Sequence, residues 1–229
     1  MKKAYFITAT GTDLGKTWLT AGVLQSCRAQ GVPARALKPV MSGYDPARHE
    51  ESDIAKVDAG KTAWTYAAPL SPDRAAALEG KSIDFAEFVG WCYQQIDASD
   101  ELLLIEGIGG VMVPLGERHT VRDWIAALQI PAVLVCGTYL GSLSHTLTAL
   151  AALREVGVVP ALIVVNESAK STVSLEDTLA SLRPHVSEIP ISTLRRDRRD
   201  DLAALTERLL GDYSPTRSRI SRTTASPRK

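Results

Sequence analysis

Three short, uninterrupted apolar runs constrain this chain more than any other feature: Leu102 to Ile105, Ala132 to Cys136 and Ala161 to Val165. A strand with one wet face alternates apolar and polar residues. Runs without alternation belong to strands covered on both faces, as in a parallel sheet. A β-favouring run, Ala4 to Thr8, opens the chain; Ala34 to Val40 reads as a second strand, and a short strand is expected around Glu188 to Ile191. Between them the pattern predicts helices over Lys16 to Gln30, Glu51 to Ala59, Asp84 to Ile96, Ser142 to Val156 and Ser174 to Leu182. Gly31 and Pro33 stop the first of these, and Leu143, Leu147, Leu150 and Leu153 stripe the fourth. Strands alternating with helices define an α/β fold: one mostly parallel sheet with helices on both faces.

The 229 residues suffice for one large domain with its own core. The expected unit runs over residues 1–210, and residues 211–229, rich in Ser, Thr, Arg and Pro, read as a disordered tail. The 26 basic side chains cancel the 26 acidic ones, which removes the global positive field of non-specific nucleic-acid binding. Three scattered cysteines, Cys27, Cys92 and Cys136, show no metal or redox spacing and read as small buried residues in a reducing compartment. No apolar run approaches the roughly 20 residues that span a bilayer. The expectation is a soluble, cytoplasmic protein with small-molecule substrates and neither nucleic-acid nor membrane partners.

Ligands of open parallel sheets bind beyond the carboxyl ends of the strands, and the chemically notable residues fall there. The first turn reads Thr10-Gly11-Thr12-Asp13-Leu14-Gly15-Lys16-Thr17. Gly15, Lys16 and Thr17 match the end of the phosphate-loop pattern, with Thr10 where the first glycine belongs. In a strand–loop–helix setting the N–H groups of Asp13, Leu14 and Gly15 and the helix N-terminus face phosphates. Lys16 then neutralises charge, and the Thr17 hydroxyl reaches Mg²⁺. A tight turn carrying an exposed lysine is the plain alternative. Glu106 closes the Leu102–Ile105 run where a second Mg²⁺ contact is usual, followed by Gly107, Ile108, Gly109 and Gly110, whose glycines permit backbone to approach a ligand. Lys38 ends the second strand as a candidate electrostatic clamp, and Asp53 is a third acidic candidate. Surface roles are the plain alternative for both.

Taken together, the loop Thr10–Thr17, Lys38-Pro39-Val40-Met41-Ser42-Gly43, Ser52-Asp53, Leu70-Ser71-Pro72, Glu106–Gly110, Asp123-Trp124, Leu140-Gly141 and Glu188-Ile189-Pro190 resemble, in order, the motifs of the dethiobiotin synthetases. The resemblance covers Tyr5 to about Ile191 and implies a phosphate-loop NTPase fold, a homodimer, and ATP- and Mg²⁺-dependent carboxylation in biotin synthesis. In that reaction 7,8-diaminononanoate captures CO₂ as a carbamate, which takes the γ-phosphoryl group of ATP. The second amine then closes a cyclic urea, with release of ADP and phosphate. Carried over by motif, Lys16 holds phosphates, while Thr17, Asp53 and Glu106 coordinate Mg²⁺. Thr12, Lys38 and Ser42, with Gly109 and Gly110, surround the carbamate and the moving phosphoryl group. Asn166 reads adenine, and Pro190, Ile191 and Ser192 flank the base.

This chain also departs from the pattern. Ala9 replaces the glycine that usually opens the family's loop, and Tyr139 and Ser144 stand where a lysine and an asparagine are often found. In the family that segment reaches across the dimer toward the substrate carboxylate. Two rivals remain: a switch ATPase of the partition type and a nucleotide-binding paralogue without catalysis. The partition type places an extra lysine five residues before Lys16, where this chain has Gly11.

Overall fold

Alternation hidden inside the apolar runs decides how the sheet is buried. In the computed structural model, which describes residues 3–57, 62–169, 171–186, 188–196, 198 and 200–211, the strands run β1 (Ala4–Ala9), β2 (Ala34–Leu37), β3 (Val40–Ser42), β4 (Trp64–Tyr66), β5 (Leu102–Glu106), β6 (Ala132–Cys136), β7 (Leu162–Asn166) and β8 (Ile191–Leu194). Six of them form one parallel sheet in the order β2-β5-β1-β6-β7-β8. Phe6, Leu103, Ile105, Leu134 and Ile163 enter one core; Ile7, Leu102, Leu104, Val133 and Val164 enter the other. Fully burying one such side chain is worth about 1.5–3 kcal/mol, so a one-residue slip of any strand would exchange whole rows between two unlike environments.

Helices cover both faces. They are α1 (Lys16–Ala29), α2 (Asp53–Lys56), α3 (Pro72–Leu78), α4 (Phe85–Asp97), α5 (Val121–Leu128), α6 (Ser142–Glu155), α7 (Leu175–Leu182) and α8 (Asp200–Leu210). Leu19, Val23 and Cys27 of α1 share a core with Leu205 and Leu209 of α8. Phe88 and Cys92 of α4, Trp124 of α5 and Leu150 of α6 build the opposite one, where Phe6, Trp124 and Phe88 meet edge to face. The mostly parallel sheet with helices on both faces is therefore as expected. All three cysteines are buried and free, and burial pushes the Cys92 thiol up to about 12 and that of Cys136 to about 11, which keeps them unreactive. Among the described residues no helix is long and apolar enough to cross a membrane.

The structure corrects several boundaries. The expected strand Ala34–Val40 breaks at Lys38-Pro39: β2 ends at Leu37, and β3 leaves the main sheet to pair in parallel with β4. Proline cannot donate to a ladder, so the chain changes partner there. The expected helix from Glu51 to Ala59 is a 3-10 turn, Pro46–Glu51, followed by the single turn of α2; Ala59 lies outside the described residues, as does most of the expected tail at 212–229. The last strand starts at Ile191 rather than Glu188, because Pro190 has no N–H and instead accepts from Ile163 N–H through its carbonyl.

Candidate active site

The site forms where β1, β2 and β5 end side by side. After β1 the loop turns through Asp13 (φ 58°) and Gly15 (φ 90°) into α1, whose first turn carries no acidic residue. That leaves the positive end of α1 free for an anion. A Cβ on Gly15 would fall within contact distance of Asn166 Nδ2, whose amide donates to the Leu14 carbonyl at 3.0 Å. Gly110 is held as closely, since a Cβ there would lie 3.1 Å from the Thr10 backbone.

Lys16 opens α1 with 7% of its surface exposed, and its ammonium donates to the carbonyls of Gly109 at 2.8 Å and Gly11 at 3.3 Å. Burial, and after it the charge of Lys38, pulls its pKa down to about 8. Register explains the next contact. Leu37 of β2 stands beside Ile105 of β5, so the residues that follow them, Lys38 and Glu106, are neighbours. The Lys38 ammonium donates to Glu106 Oε1 at 2.7 Å and to the Gly107 carbonyl at 3.0 Å, and lies 3.7 Å from Asp53 Oδ2. Thr17 donates its hydroxyl to the same Glu106 oxygen at 2.8 Å. Glu106 is fully buried, and its second oxygen, Oε2, has no hydrogen-bond partner. It is thus the floor of the site rather than an exposed crevice residue, whereas the Asp53 side chain is 39% exposed.

Thr12, Lys16, Thr17, Lys38, Ser42 and Asp53 line one cleft of about 940 Å³, with Asp13, Gly15, Ile108 and Gly109. Gly107 and Gly110 are buried behind it. Sequence reasoning gave no site role to Lys56, nor to the apolar Trp18, Met41, Pro69, Leu70 and Val113, all of which line the cleft. A second cavity of about 410 Å³ adjoins the loop, lined by Leu14, Asn166, Glu167, Ser168 and Arg196 among others.

One expectation fails here. Ile191 and Ser192 pair with Ile163 and Val164, near the start of β7, while Asn166 at its end pairs with Leu194. Pro190, Ile191 and Ser192 are therefore too far from the strand ends to flank a base at Asn166, and Ser192 and the Ile191 carbonyl take hydrogen bonds from Arg208. Arg196 stands by the cavity instead, its N–H donating to Glu167 at 3.1 Å. Tyr139 meets His145 through a 2.7 Å contact between its hydroxyl and Nδ1, beside Gly141 at the start of α6.

A parallel sheet with a lysine-bearing loop, a helix N-terminus and a buried acid at its strand ends defines a phosphate-loop nucleotide-binding protein. The same fold appears in a ParA family ATPase from Chlorobium tepidum TLS, with a TM-score of 0.53 at 13% identity over 91% of this chain and 88% of that one. Residues 3–205 match a family model described as an AAA domain. A protein of Acidiphilium cryptum named ATP-dependent dethiobiotin synthetase BioD is 46% identical over 199 residues, 81% of this chain and 89% of that protein. The protein of that name from Caulobacter vibrioides is 39% identical over 91% of this chain and 99% of its own length. This chain belongs to the dethiobiotin synthetase family.

Proposed function

We propose that this chain is an ATP-dependent cyclo-ligase that makes dethiobiotin from 7,8-diaminononanoate, CO₂ and ATP. The observation that carries the reading is the cleft itself: two buried lysines and a helix N-terminus on one wall, apolar side chains on the other. Such a cleft suits polyphosphate beside an aliphatic diamine. Phosphoryl transfer asks mainly for positioning and charge neutralisation. Lys16 and the loop N–H groups hold the β- and γ-phosphates. Lys38, fixed by Glu106, presents its positive charge where the carbamate oxygen meets phosphorus, and Thr12 and Ser42 orient the carbamate. Asn166 and the second cavity take the base. The second amine then attacks the carbonyl carbon and expels phosphate.

The site also fits Mg²⁺. Glu106 Oε2 is a buried carboxylate oxygen without a partner, and Thr17 and Asp53 add hard oxygen donors. Mg²⁺ is commonly held by only one or two carboxylates, its remaining positions going to phosphates and water. When bound, it supplies charge neutralisation across the transferring phosphoryl oxygens. We also propose a cytoplasmic homodimer, from family resemblance, and a functional unit that ends with α8. The partition-type switch is not favoured: likeness to the ParA family ATPase is one of fold, and Gly11 stands where such a switch would carry a lysine.

Mass spectrometry of the product formed from diaminononanoate, ¹³C-bicarbonate and MgATP tests the proposal. Dethiobiotin with one heavy carbon is expected; an unchanged diamine overturns the reading.

A further inference from the structure

Trp18 has no place in the packing of this fold. Its indole is 45% exposed, joins neither hydrophobic core and pairs with no other ring among the described residues, although it sits on the first turn of α1. The other three tryptophans are buried or packed against a core. An isolated exposed aromatic is ordinary by itself. This one is set apart by its position, because it lines both the 940 Å³ cleft and the 410 Å³ cavity. Only Asp13, Gly15 and Trp18 are shared by the two, so Trp18 supplies the one large apolar face at their junction. The smaller cavity is otherwise mostly polar, with Asn166, Glu167 and Arg196 offering hydrogen bonds and charge, and Leu14 already packed against a core.

We infer that Trp18 is the stacking platform for the nucleotide's base. The inference rests on the proposed placing of phosphates in the cleft and base in the second cavity. A nucleotide laid that way must pass the indole, and a base lying flat in a cavity walled by polar groups gains most from one aromatic face. Stacking of a base on an aromatic side chain is worth about 1–3 kcal/mol and is blind to base identity, since every base has a π-face. Trp18 then supplies affinity, and discrimination between bases is left to Asn166 and its neighbours.

The test is calorimetric binding of ADP and of pyrophosphate, in one Mg²⁺ buffer, to the full chain and to Trp18→Ala and Trp18→Phe. Trp18→Ala should weaken ADP about tenfold, equivalent to about 1.4 kcal/mol, and leave pyrophosphate unchanged. Trp18→Phe should keep ADP within about threefold of the parent, and ADP should quench tryptophan fluorescence in the parent but not in this variant. Unchanged ADP affinity in Trp18→Ala, or an equal loss for pyrophosphate, overturns the role of Trp18. Should the parent bind ADP no more tightly than pyrophosphate, the base cavity itself is misassigned, a failure distinct from that of Trp18.

Discussion

Lys16 is a cation held largely out of water, and its lowered pKa gives the site a measurable proton balance. A bound polyphosphate favours the charged form and raises that pKa from about 8. Nucleotide binding near pH 8.5, about half a unit above the free value, should therefore take up protons. Calorimetry of ADP binding in buffers of different ionisation enthalpy should show uptake, and Lys16→Gln should abolish it; no uptake in the parent contradicts the assignment. The sign for stability follows the same shift. Between about 8 and the ordinary lysine value of 10.5 the unfolded chain holds the proton more tightly, so this lysine opposes folding below about 8 and ceases to as pH rises. Lys38 and Glu106 make a different prediction. Both are buried and each is the other's main partner, so Lys38→Gln or Glu106→Gln alone should cost about 3–5 kcal/mol in urea unfolding. The double variant should cost clearly less than the two together. Single losses below about 1 kcal/mol, the worth of a surface pair, would show that the pair is not buried in solution. Turnover of either variant is interpretable only on the fraction that folds.

The loop–α1 junction depends on Gly15. Its φ of 90° is left-handed, and a Cβ would displace the Asn166 amide that ties β7 to the loop. Gly15→Ala should cost at least the roughly 1–2 kcal/mol of a left-handed alanine and weaken ADP binding as well. Thermal unfolding and calorimetry check both, and unchanged values would mean the loop relaxes elsewhere. Elements like this loop were legible because glycine, lysine and threonine stand between an apolar run and a helix. The central strands were legible for a related reason, as burial on both faces leaves no polar interruption. Short elements carried less signal. β3 and β4 have three residues each, too few to show a period. No helix was expected where α5 lies, although Val121, Trp124, Ile125 and Leu128 are spaced for one and Asp123 accepts from the Thr120 N–H and hydroxyl at its start. α8 likewise lies outside the expected helices, though Leu202, Leu205 and Leu209 recur along it. The Lys38–Glu106 pair spans 68 residues and follows from strand register, which local sequence does not encode. Register also moved the last strand, and with it replaced Pro190–Ser192 by Arg196 beside the second cavity.

At the scale of the molecule, α8 closes one core through Leu205 and Leu209 while α4, α5 and α6 close the other. The functional unit we propose thus includes α8. Removing residues 212–229 should shift Tm by less than about 5 °C, whereas a chain ending at residue 199 should lose far more than the roughly 1–2 kcal/mol that such a shift represents. Comparable losses for both truncations would contradict that boundary. The central claim is that the chain spends ATP only to close a ring on a captured CO₂. It is tested most directly by following ADP against a limiting supply of 7,8-diaminononanoate, with bicarbonate and MgATP in excess. The account predicts one ADP for each diamine consumed, with formation stopping when the diamine is exhausted. ADP that accumulates without the diamine, or continues past its exhaustion, would contradict it.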